Sequence, residues 1–97
     1  MKIFISQPMF GRNDDIIRKE RNELKSYFTS MGYEIIDSYI EDQAPDSVHQ
    51  GAWYLGKSIQ LLSSADITFF MDGWQNARGC KIERLVSHEY GIPIIHD

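Results

Sequence analysis

With only one cysteine, Cys80, the chain cannot form an internal disulfide. It also lacks a charged-then-apolar leader and any run of about 18 apolar residues, the length a spanning helix needs. A reducing cytoplasm is the expected setting, with no membrane partner. Basic charge is scarce as well: 10 Lys and Arg stand against 14 Asp and Glu, for a formal charge of -4. That argues against binding nucleic-acid polymers, which relies on cations that neutralise phosphates and release counterions. Small anions remain open to it through local geometry. His49, His88 and His96 fall on separate segments without metal-ligand spacing, so no metal is expected.

What is present is the composition of a folded globular chain, 42% hydrophobic and 25% charged over 97 residues. That length fits one domain, residues 1–97, with a core small enough that self-association would help it. No internal repeat or low-complexity tract interrupts it.

"KIFIS" (2–6) has the β-branched and aromatic content of a strand and is stopped by "QPMFGR", where Pro8 and Gly11 punctuate the chain. With Asn13 or Asp14 as N-cap, Ile17, Leu24, Phe28 and Met31, with Ile16 and Tyr27 alongside, trace one helical face that Gly32 ends. "YEIID" (33–37) is extended. "EDQAPDSVHQG" (41–51) is a long polar connection of the kind used for binding, and the segment expected to move most. A second helical face follows in Trp53, Leu55, Ile59 and Leu62, weakened by Gly56. "DITFFM" (66–71) is nearly all apolar, as suits a central strand covered on both faces. Ile82, Leu85, Val86 and Tyr90 mark a third helix closed by Gly91, and "IPII" (92–95) a last strand that Pro93 places at an edge.

The alternation predicts a flavodoxin/Rossmann-like α/β three-layer sandwich: about four parallel strands in order 2-1-3-4, with about three helices. Ligands of such sheets sit beyond the carboxyl ends of the strands, where strands 1 and 3 diverge. That point gathers the loops "SQPMFGR", "DSYIED" and "DGWQNARG".

The last of these runs into a helix. Free amides of a first turn, framed by Gly73 and Gly79, suit a phosphate or carboxylate. Glu83, read as lying in that first turn, would have its ionised form favoured by the helix dipole. An ionised carboxylate is a nucleophile; the plainer alternative is that Glu83 only completes capping. The loop lacks the Gly-Lys-Ser/Thr of a Walker loop and is not GxGxxG. Cys80 near the helix start would have a lowered pKa, but Arg84 follows it too closely for a phosphatase loop. Asp72 ends strand 3, where it can act as an acid, hold ribose hydroxyls or simply mark a turn. Arg78 and Arg12 are candidates for phosphate, Arg12 the weaker. Trp74, Trp53 and Tyr39 either stack on a base or ribose or pack in the core or an interface.

"ISQPMFG" (5–11) and "GWQNARGCKIE" (73–83), with "DSY" (37–39), "SADITFF" (64–70) and "IPII" between and after them, resemble the nucleoside 2-deoxyribosyltransferase-like superfamily over the whole chain, in particular its small single-domain branch with ISxPMxG and GWxxSxGxxxE motifs. The resemblance implies that Glu83 attacks the anomeric carbon of a nucleoside or its 5'-phosphate, displaces the base and passes the sugar to another base or to water, with no cofactor. It further implies that Gln7, Pro8, Met9 and Gly11 wall the sugar or base, that Gly79 amides meet the sugar or phosphate, and that the protein is a homo-oligomer. Tyr39, Gly73, Trp74, Asn76 and Arg78 complete the expected substrate-binding set, beside Glu83 and Asp72 as the catalytic pair. Three positions depart from the pattern of active relatives: Ser58 in place of an Asp, Ala77 in place of Asp or Ser, and Gln7 in place of a small residue. The alternative on the same fold is a noncatalytic module that binds a nucleotide or a nucleotide-derived ligand.

Overall fold

A computed structural model of the chain describes every residue except Phe10, Tyr39, Glu41, Ser47 and Asp97. Strands β1 (Lys2–Ser6), β2 (Glu34–Ile36), β3 (Ile67–Phe70) and β4 (Ile94–His96) alternate with helices α1 (Asp14–Ser30), α2 (Gln50–Leu62) and α3 (Arg78–Glu89). A short 3-10 turn, Trp74–Asn76, precedes α3. The sheet is parallel, in order β2-β1-β3-β4, as the pattern of elements predicts. β3 is internal and β4 an edge; Pro93, just before β4, lends its carbonyl to the Thr68 amide and needs no amide of its own.

Two-residue periodicity sorts β1 and β3 between the two sides of the sheet. Ile3, Ile5, Phe69 and Met71 point one way and enclose Phe28 of α1, with Leu24, Tyr33, Ile35 and Ile95 around them. Phe28 meets Phe69 and Tyr33 edge to face, at centroid distances of 5.1 and 5.7 Å. Phe4, Ser6, Thr68 and Phe70 alternate with that set and are fully buried. Ser6 reaches α3 on its side of the sheet, and α3 in turn packs on α2.

Asn13 caps α1, its side chain accepting from the Asp15 and Ile16 amides at 2.8 and 3.3 Å. The buried face of α1 is Ile17, Arg21 and Phe28, with Leu24 half-buried, whereas Ile16, Tyr27 and Met31 are exposed. The apolar stripe read from sequence is therefore narrower than expected, because Arg21 takes its central position. Gly32, at φ +92, reverses the chain into β2. No helix among the described residues is long and apolar enough to cross a membrane.

The fold should depend on these two α1 anchors unequally. In urea unfolding, Phe28→Ala is expected to cost about 3–5 kcal/mol. Asn13→Ala is expected to cost about 1 kcal/mol, most of it recovered in Asn13→Asp.

Candidate active site

Ser6 and Gln7 leave the carboxyl end of β1 in opposite directions, and the polar groups of the site divide accordingly. On the α1 side, the Gln7 amide nitrogen donates to the Ile17 carbonyl at 2.9 Å and to Glu20 at 3.4 Å. Arg12 donates to Glu20 at 2.6 Å and to the Pro8 carbonyl at 3.0 Å. A cleft of about 570 Å³ opens here, lined by Pro8, Arg12, Glu20, Met71, Asp72, Gly73, Asn76 and Ala77. It lies beyond the ends of β1 and β3, where the topology places a ligand. Gly73 has φ +91 and closes the turn after β3 against Pro8; a Cβ there would lie 3.7 Å from the proline ring. A second depression, of about 650 Å³, is lined by outer-surface residues of α1 between Asp15 and Ser26 and holds none of the candidate residues.

On the other side, α3 turns Cys80, Glu83 and Ser87 inward at helical spacing, so its buried face is polar and slim rather than bulky. Glu83 is only 7% exposed. The Ser6 hydroxyl, fully buried, donates to Glu83 Oε1 at 2.7 Å, and Ser58 of α2 is a second hydroxyl whose proximity lowers the carboxyl pKa. Ser87 donates to the Glu83 backbone carbonyl at 2.9 Å. No cation is paired with this carboxylate among the described residues; the ion pairs found there are Arg12–Glu20, Arg18–Asp15 and Lys25–Asp37.

The structure corrects two electrostatic expectations. Glu83 is the sixth residue of α3, beyond the first turn, and its pKa is raised because burial penalises the charged form, with the Ser6 and Ser58 hydroxyls opposing the rise. Cys80 is likewise pushed up rather than down, to about 11, by burial first and by the Glu83 charge last, with a Ser6 hydrogen bond opposing. For both groups desolvation outweighs the field of the helix terminus, which fades within one turn. The frame expected before the helix also shifts, since Gly79 is the second residue of α3. A Cβ at Gly79 would meet nothing nearer than Leu55 Cδ1 at 4.0 Å, so sterics do not demand glycine there. The N-cap, Ala77, offers no side-chain acceptor to the first-turn amides.

The expected site residues thus fall into separate groups. Pro8, Asp72, Gly73 and Asn76 share the cleft, and Glu83 lies in the buried cluster with Ser6, Ser58 and Cys80. Met9 and Gly11 form the turn that follows β1, where the Met9 carbonyl accepts from the Arg12 amide and Gly11 has φ +74. Gln7 is turned onto α1. The Trp74 ring stacks on His96 at 5.5 Å and 17°, lies under the Arg84 guanidinium at 4.8 Å and meets Phe70 edge-on, which is the packing alternative for this residue. Arg84 donates from Nε to His96 Nε2 at 3.0 Å. Trp53 packs on Tyr54 beneath Lys57. Arg78 is exposed at the start of α3. Tyr39 lies outside the described residues. Sequence reasoning missed Ser6 as a partner of Glu83; its signal was a hydroxyl ending an otherwise apolar strand. Among the described residues no group of three or more His, Cys, Asp or Glu is placed to hold a metal ion.

This arrangement can now be set beside known proteins. A solved 2-deoxyribosyltransferase from the psychrotolerant bacterium Bacillus psychrosaccharolyticus is similar to this chain with a TM-score of 0.73, over 99% of this chain and 71% of that one, at 18% identity. The likeness at that identity is one of fold, an α/β three-layer sandwich of the deoxyribosyltransferase kind. The chain belongs to the family described as domain of unknown function DUF4406, whose model matches residues 1–96. No curated protein matches it.

The raised pKa of Glu83 has a sign that can be checked. In the unfolded chain the group titrates near its ordinary 4.5, whereas the folded state holds the proton to higher pH. Between those values the native state binds more protons, so stability is greatest below 4.5 and falls as pH rises through the folded pKa. Glu83→Gln lacks that loss. Its stability relative to wild type, from denaturant midpoints across pH 4 to 9, is expected to climb with pH and then level off; a flat difference would mean that the carboxyl is not buried.

Proposed function

We propose that the protein cleaves or exchanges the N-glycosidic bond of a nucleoside or nucleotide, with Glu83 as the nucleophile. The observation that carries this reading is the buried Glu83 carboxyl group, bonded by Ser6 at the carboxyl end of β1 and, among the described residues, paired with no cation. A lone buried carboxylate costs stability, and a group desolvated in this way at the ligand-binding end of a sheet is a functional candidate. The resemblance of "GWQNARGCKIE" to the deoxyribosyltransferase-like pattern supports the same choice of residue.

In this reaction an ionised Glu83 oxygen bonds to the anomeric carbon as the C1'–N bond breaks, and the bond's electron pair leaves with the base, which gains a proton. Water or a second base then attacks the same carbon and releases the carboxylate, as in a retaining glycosidase. Desolvation makes the ionised carboxylate scarcer at low pH and strips it of the water that would blunt its attack. Asp72 and Asn76, in the cleft, hydrogen-bond the sugar or donate toward the departing base; Pro8, Met9 and Gly11 wall the ligand, and Gly79, with Arg78 beside it, meets the sugar or phosphate. Oligomerisation would cover exposed apolar side chains such as Leu85 and Tyr90, and belongs to the same proposal.

A second reading, a noncatalytic nucleotide-binding module, is favoured by one specific observation. The cleft is lined without Glu83, and Ser58 and Ala77 replace polar groups of active relatives. The two readings separate in one assay. Incubation with nucleosides and 5'-monophosphates is expected to release free base, seen by chromatography, at a rate that rises with pH along an acidic limb above 4.5, the ordinary pKa of a glutamate. Glu83→Ala is expected to lower that rate about 10³-fold or more. Saturable ligand binding by calorimetry with no base released, in wild type and variant alike, would instead establish the binding module.

A further inference from the structure

Ser6 and Ser58 come to Glu83 from different elements, β1 and α2, and Ser6 crosses 77 residues of sequence to make its bond. Ser6 is fully buried, so its hydroxyl has no water to turn to, and its donor choice can be counted. A hydroxyl has one proton, and that of Ser6 is committed to Glu83 Oε1 at 2.7 Å. Cys80, 4% exposed, lies beside this pair, and burial is the first cause that pushes its pKa up to about 11.

We propose that Ser6 is a positioning residue that, with Ser58 beside it, cradles the Glu83 carboxylate, and that its bond to Oε1 leaves the other oxygen for the ligand. What the free oxygen attacks rests on the glycosidic reading above; the cradle itself rests on the geometry of the Ser6 bond and the burial of Glu83. Its chemical consequence follows from hydroxyls being donors. They stabilise the ionised form of Glu83 and partly offset its desolvation. Two neutral donors thus stand where a cation would otherwise be needed, and they leave the site without a positive charge beside the anomeric carbon, where positive charge develops. Cys80 is the titratable group that faces Glu83, from the same helix. The nearest cation of α2 by sequence, Lys57, lies over the Trp53 ring, and from β1 the facing group is the neutral Ser6.

The test is a carboxyl-carbon NMR titration of Glu83, assigned with Glu83→Gln, in wild type, Ser6→Ala and Ser58→Ala, alongside base release across the same pH range. Ser63→Ala, an exposed hydroxyl that donates to the Gln60 carbonyl, is the control. Ser6→Ala and Ser58→Ala are each expected to move the Glu83 midpoint upward, and Ser63→Ala not at all. Base release near neutral pH is expected to fall about tenfold in Ser6→Ala, with its acidic limb displaced with the midpoint. Unmoved or lowered midpoints in both serine variants would overturn the cradle, whatever the activity. If Ser6→Ala does not fold, Ser58→Ala decides alone, because Ser58 is only half-buried and its loss spares the core. Upward shifts in the serine variants together with no base released by the wild type would support the cradle and overturn the glycosidic reading.

Discussion

The hydrogen bond from Ser6 to Glu83 is the interaction around which this small protein is arranged. A carboxylate at 7% exposure without a paired cation is costly unless donors meet it. Meeting it sets demands on three elements at once: β1 must end on a small hydroxyl facing α3, α3 must lie close enough to be reached, and α2 must supply a second donor. The slim inward face of α3, Cys80, Glu83 and Ser87, satisfies the second demand. Where a wholly structural helix would carry leucines, this one carries groups that bond and titrate.

The same alternation that turns Ser6 toward α3 turns Gln7 toward α1. Gln7, Arg12 and Glu20 form a bonded set there, so Arg12 is engaged with Glu20 and could meet a phosphate only by leaving it. On the opposite side, Trp74 is clasped by His96 and Arg84, which ties the loop after β3 to the last strand. That clasp fixes the loop carrying Asp72 and Gly73 from outside the cleft.

Much of the fold was legible because local signals agreed with one another: Asn13 as a cap, Gly32 as a stop, an unbroken apolar run for the central β3 and Pro93 at the edge. β1 matches its apolar segment, β2 and β3 are each one residue shorter at both ends than theirs, and β4 starts after Pro93 and runs on to His96. Glu83 was legible as a candidate, but its burial and the direction of its pKa shift were not. The helix dipole is readable from sequence position, whereas desolvation depends on what β1 and α2 bring over the side chain, and here desolvation is the larger effect. Cys80 was misread for the same reason. Trp74 was ambiguous because an aromatic beside a loop reads alike whether it stacks on a ligand or on a histidine from a strand 20 residues away.

The division at the end of β1 has a consequence for how such a chain can diverge. Since neighbouring residues of one strand serve opposite sides of the sheet, substitutions at Arg12 or Glu20 reshape the cleft without touching the Ser6–Glu83 bond. Drift in Ser6 or Ser58 alters the surroundings of the carboxylate without reshaping the cleft. The two sides of the sheet can therefore change along separate lineages, with a single backbone bond between the two histories.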